Sequence, residues 1–526
     1  MARFAIVQAG TALQLVNTAT GVFTTLTLPT NITLNASLTP RFTVSNAYVV
    51  MVNSCSRPIT IDVEGVVRPL TLFPPGAVPT LSGVAGGSLS GTFLVKQTFL
   101  IRDSVTGNII SESAMGPPSA STAITSQFLK AATLGISNEA SMTGSQLYRT
   151  ATLGTVYFPW LELEGNTQLS ILDDLSDAGL ILVAAPTLGS VPDLTLIAEW
   201  RGRLWGVART VVDYLRFSEA GIMYAWPTAN NLLIPKLGSD SRGVIALVAR
   251  KDALGVGRRN SLQQIAGNTL SDFRPVKISE HVGIESQESV AVYRDTAYFL
   301  WKDGVYEWDN TGVRCVSDGK VRSWFTTDTY FNRARFQNAF GMIDPIRNRY
   351  KLFLANAGDT VENRWVEYDL NDKTWWGPHV TAAVTTLTSA IVAADADDVQ
   401  LPLIGNSTGF LWKEQSTATD DTATGISLDV DTKFFDGNTP DIEKYWGELS
   451  VVGKVQSAGT LSITPKTGGL DASAGSAISY TMTNGRSRLR RLGTGRFAQL
   501  NLTHSTVAEP VEIYGIELPY HELGRR

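Results

Sequence analysis

Four histidines and two cysteines, with a scatter of aspartates, are the side chains from which this 526-residue chain could build a metal or nucleophilic centre. His281, His379, His504 and His521 stand apart, none with a partner three or four residues away. With no H-E-x-x-H and no C-x-x-C, no zinc site is expected. Cys55 and Cys315 fall in very different regions and read as small buried hydrophobes, not as a disulfide framework. Asp173-Asp174, Asp395-Ala396-Asp397-Asp398 and Asp420-Asp421 lack the central Gly and distal Glu of an EF-hand loop, so solvated loop carboxylates are expected. Gly405-Asn406-Ser407-Thr408-Gly409 matches G-x-S-x-G, but a nucleophile elbow needs a helix next, and the following FLWKE reads as a strand. That match, and Gly255-Val256-Gly257 before Arg258-Arg259-Asn260-Ser261, are expected to be hairpin turns.

Glycosidase chemistry on a β-fold would need paired carboxylates or an arginine cluster. Arg333, Arg335, Arg347 and Arg349 near Tyr330 have the composition of a sialidase anion site. The boxes that should accompany them are wrong: Ser317-Asp318-Gly319 and Asn371-Asp372 have the wrong spacing. Asp344–Arg349 reads as a hairpin turn with a polar face. No catalytic, cofactor-binding or metal residue is assigned, no cofactor is expected, and the chain is expected not to be an enzyme.

The elements that would have to carry any site are strands. Runs of Val, Ile, Thr, Phe, Tyr and Trp are broken by Gly, Asn, Asp and Pro every several residues, giving an all-β chain. The one helix candidate is Thr125–Leu134. A unit of apolar strand, turn, aromatic strand, turn and strand recurs at 4–28, 42–72, 195–234, 244–278, 289–317, 337–376 and 384–412. Its late element, as in WVEYDLNDKTWWG (365–377), fits the outer hairpin of a blade in a β-propeller of six or seven blades. The expected domains are N-terminal blade segments over 1–85, an inserted immunoglobulin/fibronectin-like sandwich over 86–174, the main propeller over 175–420, and a C-terminal β-sandwich or platform domain over 421–526. The polar stretch QSTATDDTATG (415–425) marks the last boundary.

Composition narrows the function classes. Lys+Arg is 44 and Asp+Glu is 49, a net charge of −5, with 18% charged and 43% hydrophobic residues. A disordered chain needs the opposite balance, and a basic nucleic-acid coat needs a large cation excess. The start of the chain has no signal-peptide core and no run is long enough to span a membrane, so synthesis in a cytoplasm without membrane insertion is expected. The sequons at Asn31, Asn35, Asn406 and Asn501 then predict surface loops only. Arg486, Arg488, Arg490, Arg491 and Arg496, with Arg525-Arg526 at the end, crowd the terminal sandwich. Alternation on a strand would project the first three from one face, as a protein contact or a solvated edge.

The order LIAEWRGRLWGVARTVVDYLRFSEAGIMYAWP, IALVARKDALGVGRRNSLQQIAG and AVYRDTAYFLWKDGVYEWDNTGVRCVSD resembles tail nozzle proteins of short-tailed bacteriophages, the tubular, head-to-tail joining class. DTKFFDGNTPDIEKYWGELSV and the final IYGIELPYHELGRR are similar to the same class; the first 85 residues match it least. The resemblance implies a structural virion protein: a homohexameric ring below the tail adaptor ring, in reach of tail fibres or spikes, with genomic DNA leaving through its channel without specific binding. Six such chains would carry about −30, which disfavours gripping phosphates. The competing expectations are a tail-associated propeller that binds or cleaves glycans at the host surface, and a scaffold from another tail such as a baseplate or hub.

Overall fold

The computed structural model describes residues 4–180, 183–380, 386–395, 397–414, 420–421, 424–425, 427–507, 509 and 511–524. Among these the fold is all-β; helix is confined to Ser323–Thr326 and three short 3-10 turns. The chain forms two compact units. One holds Met1–Pro378 and Thr388–Leu411, the other His379–Leu387 and Trp412–Arg526.

Each recurring unit of the sequence is an antiparallel meander. Blade 1 has strands Phe4–Ala9, Ala12–Asn17 and Phe23–Thr25; blade 2 has Arg41–Ser45, Tyr48–Val52, Ile59–Ile61 and Val67–Pro69. Blade 3 has Leu194–Trp200, Arg203–Ala208, Tyr214–Phe217 and Asn231–Leu233. Blade 4 has Ala246–Ala249, Leu254–Gly257, Leu262–Ala266 and Arg274–Ser279. Blade 5 has Ala291–Tyr293, Thr296–Trp301, Gly304–Trp308 and Val313–Cys315; blade 6 has Phe340–Asp344, Arg349–Ala355, Glu362–Asp369 and Trp375–His379. From Glu362–Asp369 the pairing continues into Leu387–Ala394, Gln400–Asn406 and Leu411–Lys413, which are the seventh repeat. The first strand of blade 3 packs between the first strands of blades 2 and 4, and that of blade 5 packs on that of blade 6, the radial order of a propeller.

Alternation along the strands sends apolar side chains to both faces, so blades 1 to 6 share buried cores in succession. Leu13 and Leu15 meet Met51, Ile59 and Ile61 between blades 1 and 2. Trp205, Leu215 and Phe217 meet Leu247, Leu254 and Ile265 between blades 3 and 4. Ala246, Val248 and Leu262 meet Phe299, Tyr306 and Trp308 between blades 4 and 5, and Tyr298, Leu300 and Val305 meet Tyr350, Leu352 and Val366 between blades 5 and 6. The aromatics act as wedges: Trp205 lies 4.4 Å from Phe217 and 5.0 Å from Phe273, ring centre to ring centre. Such pairs contribute about 0.5–1.5 kcal/mol each beyond the area they bury.

The insertion is a two-sheet sandwich between blades 2 and 3. Strands Val95–Arg102, Ile109–Glu112, Gly144–Thr150 and Tyr157–Glu164 form one sheet; Thr80–Phe93, Thr122–Ala132 and Ser170–Asp173 form the other. Its core includes Phe93, Ile124, Leu129, Leu147 and Trp160. It is docked on the propeller: Phe99, Ile101 and Ile110 join Val50, Leu70, Leu194, Leu204 and Trp226 in one buried cluster. Two sequence expectations need correction. The boundary at residue 86 cuts the strand Thr80–Phe93; a Cβ on Gly87 would lie 2.1 Å from the amide of Phe128, so the glycine there allows close strand approach. The stretch Thr125–Leu134 is not helix: it lies in the strand Thr122–Ala132 and the two residues after it, and a bulge between Ile124 and Gln127, with Ser126 at φ 50°, breaks the alternation there.

The second unit contains a sandwich too. One sheet runs Leu428–Asp431, Phe497–His504, Thr460–Gly468, Ile478–Thr481. The other centres on Glu443–Gly453, flanked by Arg486–Gly495 on one side and by Ile513–Glu517 and Tyr520–Gly524 on the other. Leu449, Val451, Leu461, Ile463 and Leu500 fill its core. The boundary lies earlier than residue 421, since the unit begins at Trp412 and takes in His379–Leu387. Most of QSTATDDTATG (415–425) and Arg525-Arg526 lie outside the described residues, as do the Asp420 and Asp421 side chains. Asn501 sits in a strand and not a loop.

Packing this tight makes glycine a requirement at one blade contact. A Cβ on Gly255 would sit 2.4 Å from the ring of Trp308, which is 1% exposed. Gly255→Ala should lower unfolding stability by about 1–3 kcal/mol, read as a lower urea midpoint at unchanged slope; an unshifted midpoint would show that the ring has room. The insertion carries a second test. Glu112 is 2% exposed and its Oε1 accepts from the Thr98 hydroxyl at 2.6 Å and the Tyr148 hydroxyl at 2.7 Å. Burial pushes this carboxyl above the ordinary range. The folded chain therefore keeps its proton where the unfolded chain has lost it. Its stabilisation is complete below the unfolded pKa of about 4.3 and is lost as pH rises through the folded value. Glu112→Gln should leave thermal stability near pH 4 unchanged and raise it at pH 7; equal melting curves at both would refute this.

Candidate functional site

The first strands of the blades leave one edge unpaired toward the propeller axis, so something must satisfy or cover those groups. The segment Glu285-Ser286-Gln287-Glu288-Ser289, which turns into blade 5, does so. Gln287 mimics a strand residue: its Oε1 accepts from the Leu247 amide at 2.6 Å and its Nε2 donates to the Leu247 carbonyl at 3.2 Å, in blade 4. Ser289 Oγ accepts from the Leu300 amide at 3.2 Å, and its carbonyl accepts from the Tyr350 hydroxyl of blade 6 at 2.6 Å. Tyr350 is fully buried, and burial raises its pKa, so it stays a neutral donor.

Arg41 of blade 2 completes the arrangement. Its Nε donates to Glu288 Oε1 at 2.8 Å and its Nη1 to the Thr195 carbonyl of blade 3 at 2.7 Å. Glu288 Oε2 also accepts from the Ser286 hydroxyl at 3.1 Å. One arginine side chain thus bridges blade 2, blade 3 and the turn into blade 5. Beside it stands Glu285, whose side chain is 5% exposed and lies 3.3 Å from Arg259. Its Oε1 is buried without a hydrogen-bond partner among the described residues. Burial raises its pKa against the opposing field of Arg259, Lys302 and Arg242.

None of Arg41, Glu285 or Glu288 was singled out by the sequence; their one signal was polar residues in strand-like runs. The candidates that were singled out have other occupations. Arg335 pairs with Glu362 at 2.9 Å, Arg349 with Glu367 at 2.8 Å and Arg347 with Asp344 at 3.2 Å. Lys351, fully buried, lies between Asp344 at 3.5 Å and Glu367 at 3.3 Å. These arginines brace blade 6 instead of converging on an anion, and Tyr330 packs against Trp324. Ser317 is buried, its Oγ accepting from the Val305 amide at 3.2 Å, while Asp318 pairs with Arg322. The Asn371 and Asp372 amides both cap Asp369 Oδ1 at 3.0 Å.

Gly405–Gly409 is a hairpin turn in which Asn406 Oδ1 accepts from the amides of Thr408 and Phe410. Gly255-Val256-Gly257 is a strand, and Arg258–Ser261 its hairpin, closed by the Arg258 amide on the Ser261 carbonyl. Asp173 holds Trp160 Nε1 at 2.7 Å, and Asp174 takes the Ser88 and Leu89 amides; these are turn pins and not free carboxylates. Cys55 is buried, which pushes its thiol up to about 12; Cys315 is half-buried and free. His504 is buried with both ring nitrogens facing carbonyls at 3.0 Å; His281 and His521 are exposed. Among the described residues no three His, Cys, Asp or Glu side chains cluster as metal ligands, and no helix is long and apolar enough to cross a membrane.

No family model and no curated protein sequence matches the chain. Solved structures do. One is PorZ, a surface component of the type-IX secretion system of Porphyromonas gingivalis, at 10% identity over 98% of this chain and 75% of that one, TM-score 0.26. Another is the xyloglucan-locus GH43B of Bacteroides ovatus, at 11% identity over 63% and 90%, TM-score 0.24. A third is the exo-β-1,3-galactanase of Phanerochaete chrysosporium, at 7% identity over 98% and 95%, TM-score 0.19. None of the three is a phage tail protein. The expectation that the chain is not an enzyme is corrected by the last two, which are glycoside hydrolases: lack of a catalytic signature in the sequence excludes no enzymatic role.

The axial bridge can be tested directly. Arg41 and Glu288 are 23% and 25% exposed, so solvent screening limits their pair to about 0.5–1 kcal/mol of coupling. A double-mutant cycle with Arg41→Met and Glu288→Gln should recover that coupling in urea unfolding; strict additivity would show that the bridge contributes nothing.

Proposed function

We propose that this chain is a structural protein of a short-tailed phage tail, the nozzle ring below the adaptor, through which DNA leaves the capsid. The observation that carries this reading is the resemblance in the order of segments across most of the chain. In this reading the conduit runs between copies of the chain, with each propeller serving as a wall. A wall needs rigidity, and blades locked to their neighbours by aromatic wedges and an axial turn supply it. The net charge of −5 suits a lining that lets phosphates pass. The purified chain, mixed with its tail adaptor ring and imaged in negative stain, should form closed rings with a central opening. A chain that stays monomeric beside the adaptor refutes the reading.

A second reading has its own observation. Glu285 is a buried carboxyl held toward its protonated form at the axial turn, the state a general acid requires. The glycoside hydrolases among the matched structures bear on this reading and not on the first. A tail-associated propeller that binds or cleaves host-surface glycans should release reducing ends from host polysaccharide, and Glu285→Gln should abolish the release at least a hundredfold. No release by the unaltered chain removes this reading.

A further inference from the structure

In the terminal sandwich, residues 433–438 cross from the strand Leu428–Asp431 of one sheet toward Glu443–Gly453 of the other and leave a groove of about 330 Å³. Its lining is mostly apolar, with Phe434, Phe435 and Trp446 beside Leu500. Small-molecule sites have this make-up, about 300–1,000 Å³ of apolar wall with a few placed polar groups. Tyr520 also lines the groove and is 38% exposed. Its ring is held in place: the hydroxyl donates to the Gly437 carbonyl at 3.0 Å, and the ring centre lies 5.4 Å from that of Trp446. Trp446 is 1% exposed and donates from Nε1 to the Gly495 carbonyl at 3.0 Å, so it is a fixed support. A Cβ on Gly437 would lie 2.5 Å from the Tyr520 ring, so glycine there lets the ring rest on the turn.

Three polar side chains line the same groove: Lys433, Asp436 and Asn438. The turn that carries the last two is rigid. Gly437 and Asn438 are both left-handed, at φ 57° and 61°, and the Thr439 amide donates to the Asp436 carbonyl at 3.1 Å. Asp436 Oδ1 accepts from the Asn438 amide at 2.9 Å, which fixes the carboxylate. Its Oδ2, the Asn438 side-chain amide and the Lys433 ammonium have no hydrogen bond or ion pair among the described residues. The groove therefore offers free donors and free acceptors beside an immobilised, exposed aromatic ring. A sugar ring uses all three, because each hydroxyl both donates and accepts while the ring's C–H face is apolar. A phosphate or sulfate would meet the Asp436 carboxylate. An apolar side chain would strip water from three polar groups and return no hydrogen bond.

We propose that this groove binds a pyranose ring of a glycan, stacked on Tyr520, with Asp436, Asn438 and Lys433 taking its hydroxyls. The inference rests on neither reading above: it needs no ring assembly, no Glu285 and no bond cleavage. Saturation-transfer NMR and calorimetric titration of the full chain test it. The probes are the methyl glycosides of glucose, galactose, mannose and N-acetylglucosamine, with adenosine and N-acetyltryptophanamide standing for other flat occupants. At least one glycoside should receive saturation, strongest on its ring C–H protons. Tyr520→Ala should weaken its binding about fivefold, and Tyr520→Phe, which keeps the ring, should hold it within about twofold. Asp436→Asn keeps an acceptor for the turn and should weaken binding about tenfold. Tyr514→Ala, at a 66% exposed tyrosine outside the groove, should change nothing. Circular dichroism and thermal melting check that each variant folds. No saturation of any glycoside, saturation of adenosine or the indole alone, or binding left unchanged by either Tyr520→Ala or Asp436→Asn overturns the proposal. Release of reducing ends bears on the Glu285 reading alone, so the two can fail separately.

Discussion

The five residues Glu285–Ser289 are the constraint on which the propeller depends. A blade solves its hydrogen bonding by meandering, but its innermost strand has one side without a neighbour. Gln287 supplies blade 4 with the amide pairing that a further strand would have given, and Ser289 links blades 5 and 6. Arg41 brings in blades 2 and 3 through Glu288 and Thr195. Each buried backbone group left unpaired would cost about 1–3 kcal/mol, more than any single surface contact returns. Polar side chains at the axis are thus the condition under which apolar wedges can fill the space between blades.

The same logic explains where the scarce charges go. With 18% of residues charged, an ordinary surface would need most of them, yet several are inside. Arg149, Arg258, Lys351 and Lys444 are all fully buried. Arg258 reaches Asp213 at 2.7 Å and the carbonyls of Arg242 and Ile234; Lys444 donates to the carbonyls of Thr439 and Ile442. Removing one partner of such a set strands a charge in low dielectric, which costs more than the intact pair ever gains. Buried guanidinium and ammonium groups therefore fix the conformation of connecting loops that alternation of apolar residues leaves open.

The fold was legible because β structure writes itself locally. Period-two alternation, turn residues and an aromatic near the end of each unit are visible in a window of forty residues, and the seven units read from the sequence each correspond to one run of paired strands. The strands of the insertion follow the same local pattern, but its buried core is mostly aliphatic, with Phe93 and Trp160 among Leu, Ile and Val. Thr125–Leu134 failed because a bulge shifts the alternation, and residue 86 falls inside a strand whose Gly87 lets its neighbour approach closely. The axial turn was illegible for a different reason. Arg41 and Glu288 are 247 residues apart, and no local pattern marks either. Conversely, Arg335, Arg347 and Arg349 looked like an anion site because sequence shows cations clustering but not the carboxylates folded against them.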